Sequence, residues 1–181
     1  MSRAPFRRSV LLLRAVNVSG RNRVPMARLR EVLASETALE NVSTYIASGN
    51  IVCDAPADAS AACAEVRAVI AAEFDVDTPV IARTHDELVA SLGAQPFTDG
   101  LDNLVHAMFL AGAPAGDAIL TLTPRLRPDE RLALIENDLW IDFGSGVGTS
   151  KLTTPVLDRA LGVAGTARNV RTVRKLIELT A

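Results

Sequence analysis

Cysteine is scarce in this 181-residue chain. Cys53 and Cys63 stand alone, without metal-ligand spacing, which excludes a disulfide framework and a thiolate metal knuckle. Histidine is equally sparse, at His85 and His106, and neither belongs to a His-Glu-x-x-His helix. Aromatics number seven, and no strand carries the basic, aromatic run of an RNA-recognition motif. No apolar run approaches the ~20 residues that span a bilayer. Val10 to Leu13 is too short for a signal-peptide core and is interrupted by Arg14. The expectation is a reduced, cytoplasmic protein with no membrane partner. Gly-x-Ser-x-Gly is missing as well, so the sequence offers no hydrolase elbow, no paired catalytic set, no metal ligands and no indicated cofactor.

What the chain does have is unevenly distributed charge on a net of −2. Residues 1–30 hold eight arginines (Arg3, Arg7, Arg8, Arg14, Arg21, Arg23, Arg28, Arg30) and no acid. Residues 31–147 hold nineteen acids against five arginines, and residues 148–181 hold six cations against Asp158 and Glu178. Lysine occurs only at Lys151 and Lys175, both inside that last cationic segment. Two basic ends on an acidic body suit a partner of negative charge.

Periodicity gives the element order. Ser9 to Val18 is an apolar run that predicts a buried strand, ended by the turn residues Asn17 to Arg23. Pro25 opens a helix whose stripe is Met26, Leu29, Val32 and Leu33. Val42 to Ala47 and Ile51 to Asp54 predict a hairpin about Ser48-Gly49-Asn50. Asp58 or Ser60 caps a helix with Ala62, Val66, Val69, Ile70 and Phe74 inward. Thr78 to Arg83 predicts a strand, and Thr84 with Glu87 forms a capping box for His85 to Leu92. Strand, helix, strand, strand, helix, strand is the ferredoxin-like split βαβ order.

The second half repeats most of it. A strand over Leu104 to Ala111 is followed by a helix near Asp117 to Leu122 and a loop through Pro124 and Pro128. A hairpin of Leu132 to Glu136 and Leu139 to Phe143 follows, then helices over Thr154 to Leu161 and Asn169 to Leu179. The expected class is α+β, with two ferredoxin-like halves, residues 1–95 and 104–181, and additional C-terminal helices, the whole expected to form one compact unit.

Chemistry concentrates between Asp142 and Lys175. A glycine-rich turn, Gly144 to Gly148, leads into Thr149, Ser150 and Lys151. It is not a nucleotide-hydrolysing P-loop, because Ser150 stands where its second glycine belongs and Leu152 where its magnesium-binding hydroxyl belongs. A looser phosphate cradle, built from the amides of Gly146, Gly148, Thr149 and Ser150 with the Lys151 ammonium, is compatible with the pattern. Arg168, Arg171, Thr172 and Lys175 recur at helical spacing beside Asn169 and predict a cationic strip near a helix start. Asp138 and Asp142 alternate to one face of a strand and are expected at solvent. A second candidate site comes from topology. In the split βαβ order the loop after the first strand adjoins the hairpin joining the second and third, which places Asn17, Arg21 and Asn22 beside Ser48 and Asn50. The leading expectation is a binding protein for a small anionic or phosphorylated ligand. The alternatives are a nucleic-acid contact module and an enzyme acting on a nucleotide-like substrate.

Four segments in order, Leu11 to Gly20, Tyr45 to Asn50, Ser150 to Thr153 and Gly165 to Asn169, resemble the bacterial domain-of-unknown-function 1697 (DUF1697) family. The resemblance implies a small cytoplasmic bacterial α+β protein with ferredoxin-like halves, and it implies no activity or catalytic residue. Family members usually carry an aromatic after the Arg-Asn pair. This chain has Val170 there, so a stacking role at that position is missing.

Overall fold

The computed structural model describes residues 7–181; Arg3, one of the eight arginines of the basic N-terminal segment, lies outside them. The chain divides into two compact units, Met1–Val89 with Leu176–Ala181, and Ala90–Lys175.

In the first unit β1 (Arg8–Leu13), α1 (Met26–Glu36), β2 (Ser43–Tyr45), β3 (Asn50–Asp54), α2 (Ala59–Phe74), β4 (Val80–Thr84) and the start of α3 (His85–Gly93) follow in order. The sheet is antiparallel, ordered β2-β3-β1-β4, with Leu11 opposite Ile51 and Ala82. Alternation sends Leu11, Leu13, Ile51 and Cys53 to the face covered by α1 and α2, where they meet Leu29, Leu33, Val66 and Ile70. Each such side chain, fully withdrawn from water, contributes about 1.5–3 kcal/mol of transfer free energy. The helix ends follow local chemistry. Asp58 accepts from the Ala61 amide, and Thr84 and Glu87 satisfy each other's amides at 3.2 and 2.7 Å, the predicted capping box.

The second unit repeats the order with β5 (Val105–Leu110), α4 (Ala118–Leu122), β6 (Arg131–Ile135), β7 (Asp138–Asp142), α5 (Thr154–Leu161), β8 (Gly165–Asn169) and α6 (Val170–Thr180), whose last turn belongs to the first unit. Its sheet order, β6-β7-β5-β8, is that of the first sheet position for position. Met108, Leu110, Leu139 and Ile141 pack with Leu122, Leu157 and Leu161.

The α+β class and the two ferredoxin-like halves are as the sequence predicts; three details differ. Residues 165–169 form a strand, so the second unit completes the βαββαβ order. That strand carries no β-branched alternation and is held by its register against β5, with Gly165 opposite Leu110 and Ala167 opposite Met108. A Cβ at Gly165 would lie 2.7 Å from the ends of the Leu110 and Met108 side chains, so glycine leaves those two side chains room on this face of the sheet. Second, β1 stops at Leu13 rather than Val18, and β2 at Tyr45 rather than Ala47. The cause is local: Ala15, Asn17 and Ile46 hold φ of +50°, +55° and +50°, which no strand accommodates. Third, Asp142 is buried rather than solvent-facing, paired with the Arg131 guanidinium at 2.6 Å.

Candidate functional site

The loop after β1 and the β2–β3 hairpin do lie side by side. Asn17 joins them: its Nδ2 donates to the Ala47 carbonyl at 2.8 Å and the Val24 carbonyl at 2.9 Å, while its Oδ1 accepts from the Val24 amide at 2.9 Å. Leu13 donates to the Gly49 carbonyl at 2.8 Å, and a Cβ at Gly49 would strike the Leu13 side chain at 2.6 Å. Asn22 donates to the Ala15 carbonyl, and the buried Asn50 donates to Tyr45 and to the Ser48 hydroxyl. The three asparagines are therefore scaffold.

Five positions of the first loop, Ala15, Asn17, Ser19, Gly20 and Asn22, have positive φ, as does Ile46 in the hairpin across from them. A side chain in the left-handed region costs roughly 1–2 kcal/mol. Such strain persists where surroundings over-determine it, and it concentrates at binding sites. At the surface of these loops stand Ser19, Gly20, Arg21 and Arg23, with Val18 and Ile46 about half exposed beside them. Neither Arg21 nor Arg23 forms an ion pair among the described residues.

The glycine-rich turn is organised differently from a phosphate cradle. After β7 it passes Gly144 at φ +52° and Gly146 at φ +142°, then a 3-10 turn over Val147–Thr149. Arg127 inserts into it. One terminal nitrogen donates to the Phe143 and Gly146 carbonyls at 2.8 and 3.0 Å, the other to the Thr149 hydroxyl. Two carbonyl oxygens and a hydroxyl of the turn face this guanidinium, so the turn holds a cation that the chain itself supplies. Several amides are also committed: Gly144 to Asp142, Ser145 to Asp129, and Gly146 to Phe143. Ser145 donates through hydroxyl and amide and holds the Asp129 carboxyl below the usual carboxylate range. Behind Arg127 lies Glu130, whose side chain is completely buried and 3.3 Å from the guanidinium. Nothing in the Pro124-to-Pro128 loop marked Arg127 in advance, because the turn oxygens it binds lie 16 to 22 residues away.

The predicted cationic strip does not survive as one surface. Arg168 is in β8, not on a helix; it is buried, donates to the Thr166 hydroxyl and the Ala167 carbonyl, and burial lowers its pKa. Asn169 starts α6 by accepting from the Thr172 amide at 2.9 Å, and Thr172 is buried. Arg174 pairs with Asp102 at 3.2 Å, and Lys175 is half-buried. Lys151 and Arg171 remain exposed, without an ion pair among the described residues. β7 and β8 flank β5, and both end beside its start, so the glycine turn and the Asn169–Arg171 segment share one end of the second sheet.

The histidines are structural in their immediate contacts. His106 meets the Phe143 ring edge-on at 5.1 Å and the Leu104 carbonyl at 3.0 Å, and burial pushes its pKa down. His85 Nδ1 lies 3.0 Å from the Thr180 hydroxyl. No group of three or more potential metal-binding side chains occurs among the described residues, and no described helix is long and apolar enough to cross a membrane.

Comparison with known proteins agrees with this architecture. A family model described as a protein of unknown function (DUF1697) matches residues 6–140. No curated protein matches the chain. A solved structure of the conserved bacterial protein SP0830 from Streptococcus pneumoniae is similar, at 25% identity and a TM-score of 0.74, covering 97% of this chain and 99% of that one.

Proposed function

The chain belongs to the DUF1697 family, and we propose that it is a binding protein for a small anionic, phosphate-bearing ligand held by the 17–23 and 48–50 loops of the first unit. The observation that carries this reading is the use of Asn17. Its amide is consumed in locking the two loops together. The Arg21 and Arg23 guanidiniums are thereby left outward on a preformed backbone. Guanidinium is suited to bidentate contact with phosphate, and exposed peptide amides of Ser19 and Gly20 add donors of the kind found in anion-binding nests. A prearranged loop loses little entropy on binding, which favours affinity.

The test is a titration of the folded protein with inorganic pyrophosphate and with nucleoside mono- and diphosphates, followed by amide shifts. Saturable shifts confined to residues 17–23 and 48–50 are expected. Arg21→Ala and Arg23→Ala should each weaken binding about tenfold, the equivalent of about 1.4 kcal/mol. Lys151→Ala and Arg171→Ala should leave it unchanged. Loss of binding in the latter pair alone would place the anion at the second unit instead. Affinity for oligonucleotides of any sequence that falls steeply with salt would make the protein a nucleic-acid contact module.

A further inference from the structure

At the opposite end of the first sheet, where β1 begins, a cavity of about 260 Å³ opens, with Arg7, Ala55, Thr84, His85, Asp86 and Thr180 among its walls. Its size is just below the range of about 300–1,000 Å³ typical of drug-sized ligands, so it suits a compact metabolite. It is separate from the 17–23 and 48–50 loops, which follow the other end of β1.

The polar groups of this cavity are sorted by their existing bonds. The Arg8 guanidinium also borders it but is engaged elsewhere, donating to the Leu179 and Asn41 carbonyls at 3.1 and 2.9 Å. Arg8 thus supplies wall. Arg7 is different: its side chain is 85% exposed and touches Asp86 only at 4.0 Å. So loose and solvated a pair is worth little and yields readily to a better partner.

The state of His85 follows from Thr180. The Thr180 hydroxyl has one hydrogen, and it points to helix carbonyls, Leu176 at 2.8 Å and Ile177 at 3.1 Å. Its oxygen is then left to accept, so the contact to His85 Nδ1 at 3.0 Å requires the proton on Nδ1. In the neutral ring Nε2 is therefore a hydrogen-bond acceptor. The cavity offers one available guanidinium together with two acceptors, His85 Nε2 and the Asp86 carboxylate. Ala55, Thr84 and Thr180 complete the wall.

We propose that this cavity binds a small carboxylic acid bearing a hydroxyl or ammonium group on the neighbouring carbon, its carboxylate on Arg7 and its donor on His85 Nε2 or Asp86. A carboxylate alone satisfies only half of this set, because it has nothing to donate to the two acceptors.

The experiment follows the His85 ring resonances of the full chain during titration with lactate, alanine and propionate. Lactate or alanine should shift them saturably, at concentrations at least five times lower than propionate requires. Arg7→Ala, a change at an exposed side chain, should abolish that preference. Asp86→Asn should separate the two ligands, weakening alanine more than lactate. The proposal is overturned if propionate performs equally, if the shifts grow without saturation, or if Arg7→Ala leaves the preference intact.

Discussion

Asn17 and Val24 hold each other through both ends of one side-chain amide: the Val24 amide donates to Oδ1 and Nδ2 donates to the Val24 carbonyl, each at 2.9 Å. Val24 is fully buried, so its two backbone groups depend on that side chain. Asn17→Ala should cost about 1–3 kcal/mol, the penalty for stranding buried polar groups. For a chain of this size that lowers the melting temperature by roughly 2–4 °C per kcal/mol. Asn17→Gly, which relieves the left-handed backbone, should still destabilise measurably. An unchanged melting temperature in both variants would show that the loops are held by other means.

Arg127 and Glu130 make the second unit's turn dependent on a paired charge. Arg127→Ala leaves Glu130 buried without its counter-ion, and breaking such a pair costs about 3–5 kcal/mol. Lysine at 127 should not rescue it, because a point ammonium cannot reach the Phe143 and Gly146 carbonyls and the Thr149 hydroxyl together. Urea denaturation of Arg127→Ala, Glu130→Gln and the double variant checks this. Strict additivity of the three values would mean that the two side chains are not coupled.

His106 predicts acid sensitivity of a definite sign. Its folded pKa lies below the ordinary 6.5 because burial disfavours the charged ring. The unfolded chain therefore takes up a proton that the folded chain refuses as pH falls. Stability is complete above about 6.5 and declines below it. Asp99 and Asp129, whose pKa values are lowered, act only at more acidic pH. Denaturation between pH 7.5 and 5 should thus lose part of its pH dependence in His106→Gln. The same slope in both proteins would assign the effect elsewhere.

Cys53 should be chemically silent in the native state. Burial pushes its thiol up to about 11, so almost no thiolate forms at neutral pH. Alkylation at pH 8, read by peptide mass spectrometry, should label Cys53 only after unfolding in urea. Cys63, half-buried and also raised by burial, should react slowly in the folded protein. Labelling of native Cys53 at the unfolded rate would contradict its place in the core.

Properties set within a few residues were legible in the chain. The Thr84–Glu87 capping box, a cap at Asp58 or Ser60 and the apolar run of β1 follow from side chains that meet near neighbours or cluster along a short segment. The neighbouring of the 17–23 loop and the 48–50 hairpin followed too, because strand order dictates it. β8 was not legible, since Gly-Thr-Ala-Arg-Asn has little strand preference and exists through its pairing with β5. Nor was the fate of the glycine turn, which resembles an anion loop until Arg127 fills it from 16 to 22 residues away.

The sequence by itself determined the α+β class, the split βαβ order of the first half with most of its repeat, and the basic character of the chain's two ends. Only the tertiary structure decided which cations are available. Arg127, Arg131 and Arg174 are taken up by oxygens distant in sequence, and Arg168 is withdrawn into a strand, whereas Arg21, Arg23, Lys151 and Arg171 face water. The physical reason is that a cation's availability depends on which oxygens folding brings within about 3 Å of it, and no local pattern encodes that distance.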